Sequence, residues 1–170
     1  MRKKIHIIVA LVTVAALVTF YSVASAETKK CSGTAFRIAS SPQGKVVIGD
    51  IAKHEMALYS YTEILTSDCA EYDGAVHMGF GYSDYVGGSG PHQGYYTHIN
   101  KDGDKEFGRY SGTSKMKVNE DKSWEVSIKG TFEITGGTGI FAGRKGRGTY
   151  EGKATAEGMT YKWEAEIEVQ

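Results

Sequence analysis

Beyond its first 26 residues the chain carries four histidines, His54, His77, His92 and His98, with Met56, Met78, Met116 and Met159 close to some of them. His54-x-Met56, His77-Met78 and His92-x5-His98 have the residue types of a copper or haem ligand set. On an extended chain, however, adjacent side chains point to opposite faces, so His77 and Met78 cannot share one space. No two histidines hold a spacing that fixes a site. The expectation is no metal site and no cofactor, with Met56 and Met159 filling gaps in a core. Tyrosine, with 11 copies, is the richer clue. Tyr59 and Tyr61 share a face, Tyr82 and Tyr85 border a glycine loop, and Tyr95 and Tyr96 face opposite ways. A tyrosine or tryptophan ring offers an apolar body with a polar tip, which suits the wall of a ligand cavity as well as the filling of a small barrel. The cavity candidates are His54, Tyr82, Tyr96, His98, Tyr110, Trp124, Tyr161 and Trp163. His54, placed inward with Met56, Leu58 and Ile64 while Glu55, Tyr59, Tyr61 and Glu63 face out, would have acid or base chemistry near neutral pH. Arg37 and Arg109 are expected on a solvated surface. No catalytic residue is assigned. The chain has no nucleophile elbow, no His-Glu-x-x-His, no paired-cysteine zinc motif, and no carboxylate pair that strand parity turns inward.

Two cysteines, Cys31 and Cys69, are expected to form one disulfide. The compartment is read from the N-terminus. Met1 to Lys4 is basic, Ile5 to Val18 is an almost unbroken apolar stretch, and Ala24-Ser25-Ala26 is a small-x-small cleavage signature. Residues 1–26 are therefore expected to be a signal peptide and 27–170 a single domain. The protein would be exported, periplasmic or extracellular, with no membrane attachment after cleavage. Of 20 basic residues three (Arg2, Lys3, Lys4) lie in that signal, leaving 17 against 20 acidic ones. This slight acidic excess excludes nucleic acid as a partner.

Period-2 alternation identifies the elements that must position these groups. From Trp124 to Ile134 every even position is apolar or glycine and every odd one polar. Met159, Tyr161, Trp163, Ala165, Ile167 and Val169 alternate in the same way with polar residues. Further strands are expected over 45–51, 55–65, 75–82, 94–99, 107–118 and 148–154, separated by turn signals such as Tyr72-Asp73-Gly74 and Lys101-Asp102-Gly103. Residues 27–33 look like an arm. Glycines within the strands (Gly79, Gly81, Gly108, Gly112, Gly130, Gly152) suit bends in a strongly curved barrel. The fold class is all-β, an eight-stranded antiparallel β-barrel.

One segment is distinctive: Ile134-Thr135-Gly136-Gly137-Thr138-Gly139-Ile140-Phe141-Ala142-Gly143-Arg144-Lys145-Gly146-Arg147-Gly148. Its spacing matches no phosphate-cradling loop. Its glycines allow a sharp strand-to-strand turn, and Ile140-Phe141 packs back over the barrel end. The segment resembles one shared by plant allene oxide cyclases and, more loosely, by dirigent proteins, over roughly 105–158. That resemblance implies a barrel with a mainly apolar cavity, a trimer, and either isomerisation of a fatty-acid epoxide or steering of radical coupling. The cyclases place a carboxylate and an amide on the first strand, in a Tyr-Glu-Ile-Asn-type sequence. Residues 35–51 have no such pair, so no catalytic residue carries over. The leading functional expectation is a barrel binding a small, mainly apolar molecule. The alternatives are a cofactor-free cyclase or isomerase, a stereochemistry-steering protein, and a His/Met metal- or haem-binding protein.

Overall fold

The computed structural model describes residues 27–169; the expected signal peptide lies outside them. Eight antiparallel strands follow one another, each pairing with its sequence neighbour: β1(Glu27–Val47), β2(His54–Ser67), β3(Val76–Val86), β4(Gly90–Ile99), β5(Lys105–Val118), β6(Trp124–Gly137), β7(Lys145–Thr155) and β8(Gly158–Val169). β8 pairs back onto β1, from Glu27↔Val169 to Phe36↔Thr160, and closes the ring. The supposed arm is thus a paired strand. Its two adjacent lysines disguise it: Lys30 points outward, whereas Lys29, on the parity of Cys31, Gly33 and Ala35, reaches Glu71 at 2.8 Å. β1 has register shifts at Arg37/Ala39 and Pro42/Gly44, and the first lets Arg37 and Ser40 both face the interior.

One end of the ring is closed. The loop carrying Cys69, Tyr72 and Ala75, together with the 3-10 turn Gly139–Phe141, packs against Leu65, Ile134, Trp163, Ala165 and Ile167. Phe141 is fully buried, as its turn predicts, whereas Ile140 stays exposed. Gly139 takes φ +52° and Gly143 φ +72°, so both bends of the turn use conformations that side chains disfavour. A disulfide joins Cys31 of β1 to Cys69 of this floor, with Cα atoms 5.6 Å apart.

One of the inward glycines, Gly108, borders a register shift. Several leave room for a ring that lies across them from a neighbouring strand: Tyr61 over Gly79, Tyr96 over Gly108, Phe132 over Gly148 and Tyr150 over Gly130. A Cβ at any of these positions would collide with the ring. Glycine in a strand, normally unfavourable, is here the condition for laying flat aromatic walls in a narrow barrel. This also reverses the expected parity of β2. Tyr59, Tyr61 and Glu63 face inward, whereas Met56 and Leu58 are exposed. Apolar character fails as a guide there because the interior is built from rings and hydrogen-bonded polar groups.

Candidate functional site

The ring encloses a cavity of about 350 Å³, floored by Leu65, Tyr72, Ile134 and Trp163. It reaches up to Ser40, Ser83, Val126, Ala154 and Met159 at the other end of the strands. Tyr59, Tyr61, Tyr96, Tyr110, Tyr150 and Tyr161 supply most of its wall. Their rings meet edge-on or tilted, for example Tyr110–Tyr150 at 6.4 Å and Tyr150–Tyr161 at 5.7 Å between centroids. Apolar ring and aliphatic surface makes up most of its wall. Arg37, three histidines, Glu106 and three serines also line it.

Two buried carboxylates organise the lower half, and neither was foreseen. Glu63 and Glu106 are both 0% exposed. Arg37 donates to Glu63 Oε1 from Nε at 2.9 Å and from Nη2 at 2.7 Å, and the Tyr161 hydroxyl donates to Oε2. The Arg37 guanidinium also stacks 4.2 Å from the Tyr61 ring centroid. Buried charge is tolerated when paired and hydrogen-bonded in this way.

Glu106 anchors a relay. It accepts from Tyr72 Oη at 2.5 Å and from His98 Nδ1 at 3.1 Å. His98 Nε2 lies 2.7 Å from His77 Nδ1, and His77 Nε2 lies 3.3 Å from the Tyr61 hydroxyl on the cavity wall. Burial, with the Arg37 charge adding to it, holds His77 well below the ordinary histidine value, so His77 is neutral. Below Glu106, Arg144 Nη1 donates to Tyr72 Oη at 3.1 Å and lies 3.4 Å from Glu71. A hydrogen-bonded path thus runs from the floor to the cavity, able to pass a proton by exchanging donor and acceptor roles. Burial raises the phenols of Tyr61, Tyr96 and Tyr161 well above their usual range, so they stay neutral; the Tyr96 hydroxyl has no hydrogen-bond partner among the described residues.

The upper half holds a second cluster. Ser114 Oγ lies 3.0 Å from His92 Nδ1 and 2.6 Å from the Tyr85 hydroxyl. His92 Nε2 is 2.7 Å from the Tyr150 hydroxyl. Burial, helped by the Arg37 charge, lowers His92 to about 4.

Of the sequence candidates, Tyr96, His98, Tyr110, Tyr161 and Trp163 line the cavity. Three do not. Tyr82 alternates onto the outer face beside Gln93, and Trp124 sits on the inward parity of β6 but beyond the cavity rim, 39% exposed. His54 is outside too, with Nδ1 2.5 Å from Asp50 and Nε2 2.6 Å from Asp84. The expected surface position holds for Arg109, paired with Glu133, but not for Arg37. Met78 is exposed and His77 buried, so the His77-Met78 pair does not share one space, whereas His54 and Met56 both lie on the outer face. Sequence reasoning missed Arg37, Glu63, His77, His92, Glu106, Ser114 and Tyr150. The available signal was strand parity on β3 to β5, where His77, Gly79, Gly81 and Ser83 alternate with Met78, Phe80 and Tyr82. Compared with known proteins, the chain matches no family model, no curated protein and no solved structure.

Proposed function

We propose that the protein is an exported, allene-oxide-cyclase-like barrel that holds a small, mainly apolar molecule in its cavity. The observation that carries this reading is the cavity of about 350 Å³ with aromatic walls and a few convergent polar groups. Its volume falls at the small end of the roughly 300–1,000 Å³ common for ligand sites. Rings supply contact area, while Arg37, Ser114 and the histidines supply orientation. The ring of eight antiparallel strands agrees with the architecture of the family it resembles, and the disulfide suits an oxidising compartment. Cofactor-free isomerisation or stereochemical steering in the same cavity is the second reading. It is supported by the relay from Glu106 through His98 to His77, which can accept and return a proton.

The test uses tryptophan. In Trp124→Phe, Trp163 is the sole tryptophan of the described residues and lines the cavity. Benzophenone should quench its fluorescence saturably, and Ala154→Trp, which fills the upper cavity, should abolish binding measured by native mass spectrometry. No saturable quenching and no bound mass would overturn the reading. We extend the proposal to a homo-oligomer, as the resemblance implies. Leu58, Phe80, Tyr82 and Tyr95 are exposed and adjoin one another on neighbouring strands, an apolar patch of the kind that marks an interface. Light scattering should return a multiple of the chain mass, and Phe80→Lys with Tyr95→Lys should return the monomer.

A further inference from the structure

We propose that Ser114, His92 and Tyr150 form a nucleophilic site that hydrolyses small uncharged esters admitted to the cavity. The proposal rests on the reading of that cavity as open to a small molecule and adds a reaction to it. Ser114 and His92 lie on neighbouring strands, 22 residues apart, and both line the cavity while being more than nine-tenths buried. Serine oxygen and imidazole nitrogen stand 3.0 Å apart, within reach for proton transfer. The other ring nitrogen is held at 2.7 Å by Tyr150, which in turn is braced across Gly112 and Gly130. With Nε2 donating its hydrogen to Tyr150, Nδ1 is free to accept from Ser114. A nucleophile, a base and a group that orients the base are thus aligned within one cavity wall, on three different strands. Such an arrangement has a bland use, as hydrogen-bonded filling. The cavity beside it is what gives the serine a substrate.

The chemistry balances with water as the only co-reactant. Ser114 Oγ forms a bond to the ester carbonyl carbon as its proton passes to His92 Nδ1. The carbonyl electron pair moves onto oxygen, and the Tyr85 hydroxyl, 2.6 Å from Oγ, is placed to donate to it. Collapse breaks the bond to the alcohol oxygen, which takes the proton from His92 and leaves. Water, deprotonated by His92, then releases the acid from the acyl-serine. An uncharged substrate follows from the walls. Glu63 offsets Arg37 and Arg144 lies beyond Tyr72, so no free positive charge awaits an anion.

The first experiment treats the full chain with diethyl p-nitrophenyl phosphate and locates any adduct by peptide mass mapping. The expected result is one diethylphosphoryl group on Ser114, absent in His92→Gln and retained in Ser111→Ala, a change at an exposed position of the same strand. Turnover of p-nitrophenyl acetate should fall about a hundredfold in Ser114→Ala and in His92→Gln. Ser114→Cys, close in size, keeps the test valid if the alanine variant does not fold, because the thiol should then be acetylated at the same place. No adduct, or an adduct on a lysine or tyrosine, overturns the inference. If benzophenone still quenches Trp163 in that case, the inference falls alone; if it does not, the binding reading falls with it.

Discussion

A methyl group placed on Gly79 would run into the ring of Tyr61, which lies flat across it. Overpacking of this kind costs about 1–3 kcal/mol, and the ring has Gly79 beneath it and His77 stacked 5.5 Å away. We predict that Gly79→Ala lowers stability by about that amount in urea unfolding. Gly44→Ala is the control. Nothing lies near its Cβ position, and loss of chain freedom in the unfolded state should leave it neutral or slightly stabilised. Equal behaviour of the two variants would mean that the ring does not cover Gly79. The buried histidines give a second prediction at this scale. His77 is held well below its unfolded value and His92 at about 4, so between about 4 and 6.5 the unfolded chain binds protons that the folded chain refuses. Stability must therefore rise with pH through that window and be lost as pH falls. Urea midpoints at pH 4.5 and pH 7.5 should differ in that sense, and His92→Gln should narrow the difference.

At the scale of elements, the loop between β1 and β2 is fastened by one side chain. His54 stands between Asp84 and Asp50, with a carboxylate on each ring nitrogen, an arrangement that only the protonated imidazole can satisfy. Hydrogen bonds from Asp84 and Asp50 raise it above the ordinary histidine value. Here the sign is opposite to that of the cavity histidines. The contribution is complete below about 6.5 and disappears as pH rises through the raised folded value. Hydrogen exchange over residues 48–53 should be slow at pH 6 and, after correction for intrinsic rate, faster at pH 9. His54→Gln should remove that change. A loop equally protected at both pH values would show that backbone bonds such as Ile48 N to His54 O hold it without the clasp.

For the whole molecule, closure depends on joining the two ends of the chain. β1 and β8 pair directly, and the disulfide fastens β1 to the floor across 38 residues. Closing a loop of that length restricts the unfolded chain by about 3–4 kcal/mol. The double variant Cys31→Ala, Cys69→Ala should lose about that much, read from urea unfolding with unchanged circular dichroism. A loss below about 1 kcal/mol would mean that strand pairing alone defines the closure.

Alternation of apolar and polar residues from Trp124 to Ile134 and from Met159 to Val169 was enough to read β6 and β8, their inward faces, and an all-β chain of about eight strands. It sufficed because those strands bury aliphatic and ring groups on one side only, so hydropathy and direction coincide. On β2 the two part company. Glu63 and the tyrosines point inward because Arg37, Tyr161 and ring stacking satisfy them there, and no local pattern encodes partners that lie 26 and 98 residues away. The glycines were visible as a count but not as seats for rings, since each seat needs a neighbouring strand to fill it. The same holds for His77 beside His98 and for Ser114 beside His92, pairs created by register across β3, β4 and β5. Local sequence determined seven of the eight strands and the closing disulfide's two partners, but not β1, which runs over 27–47 rather than 45–51. Only the closed ring decided which polar groups meet inside it, because that depends on register and stagger summed around eight strands.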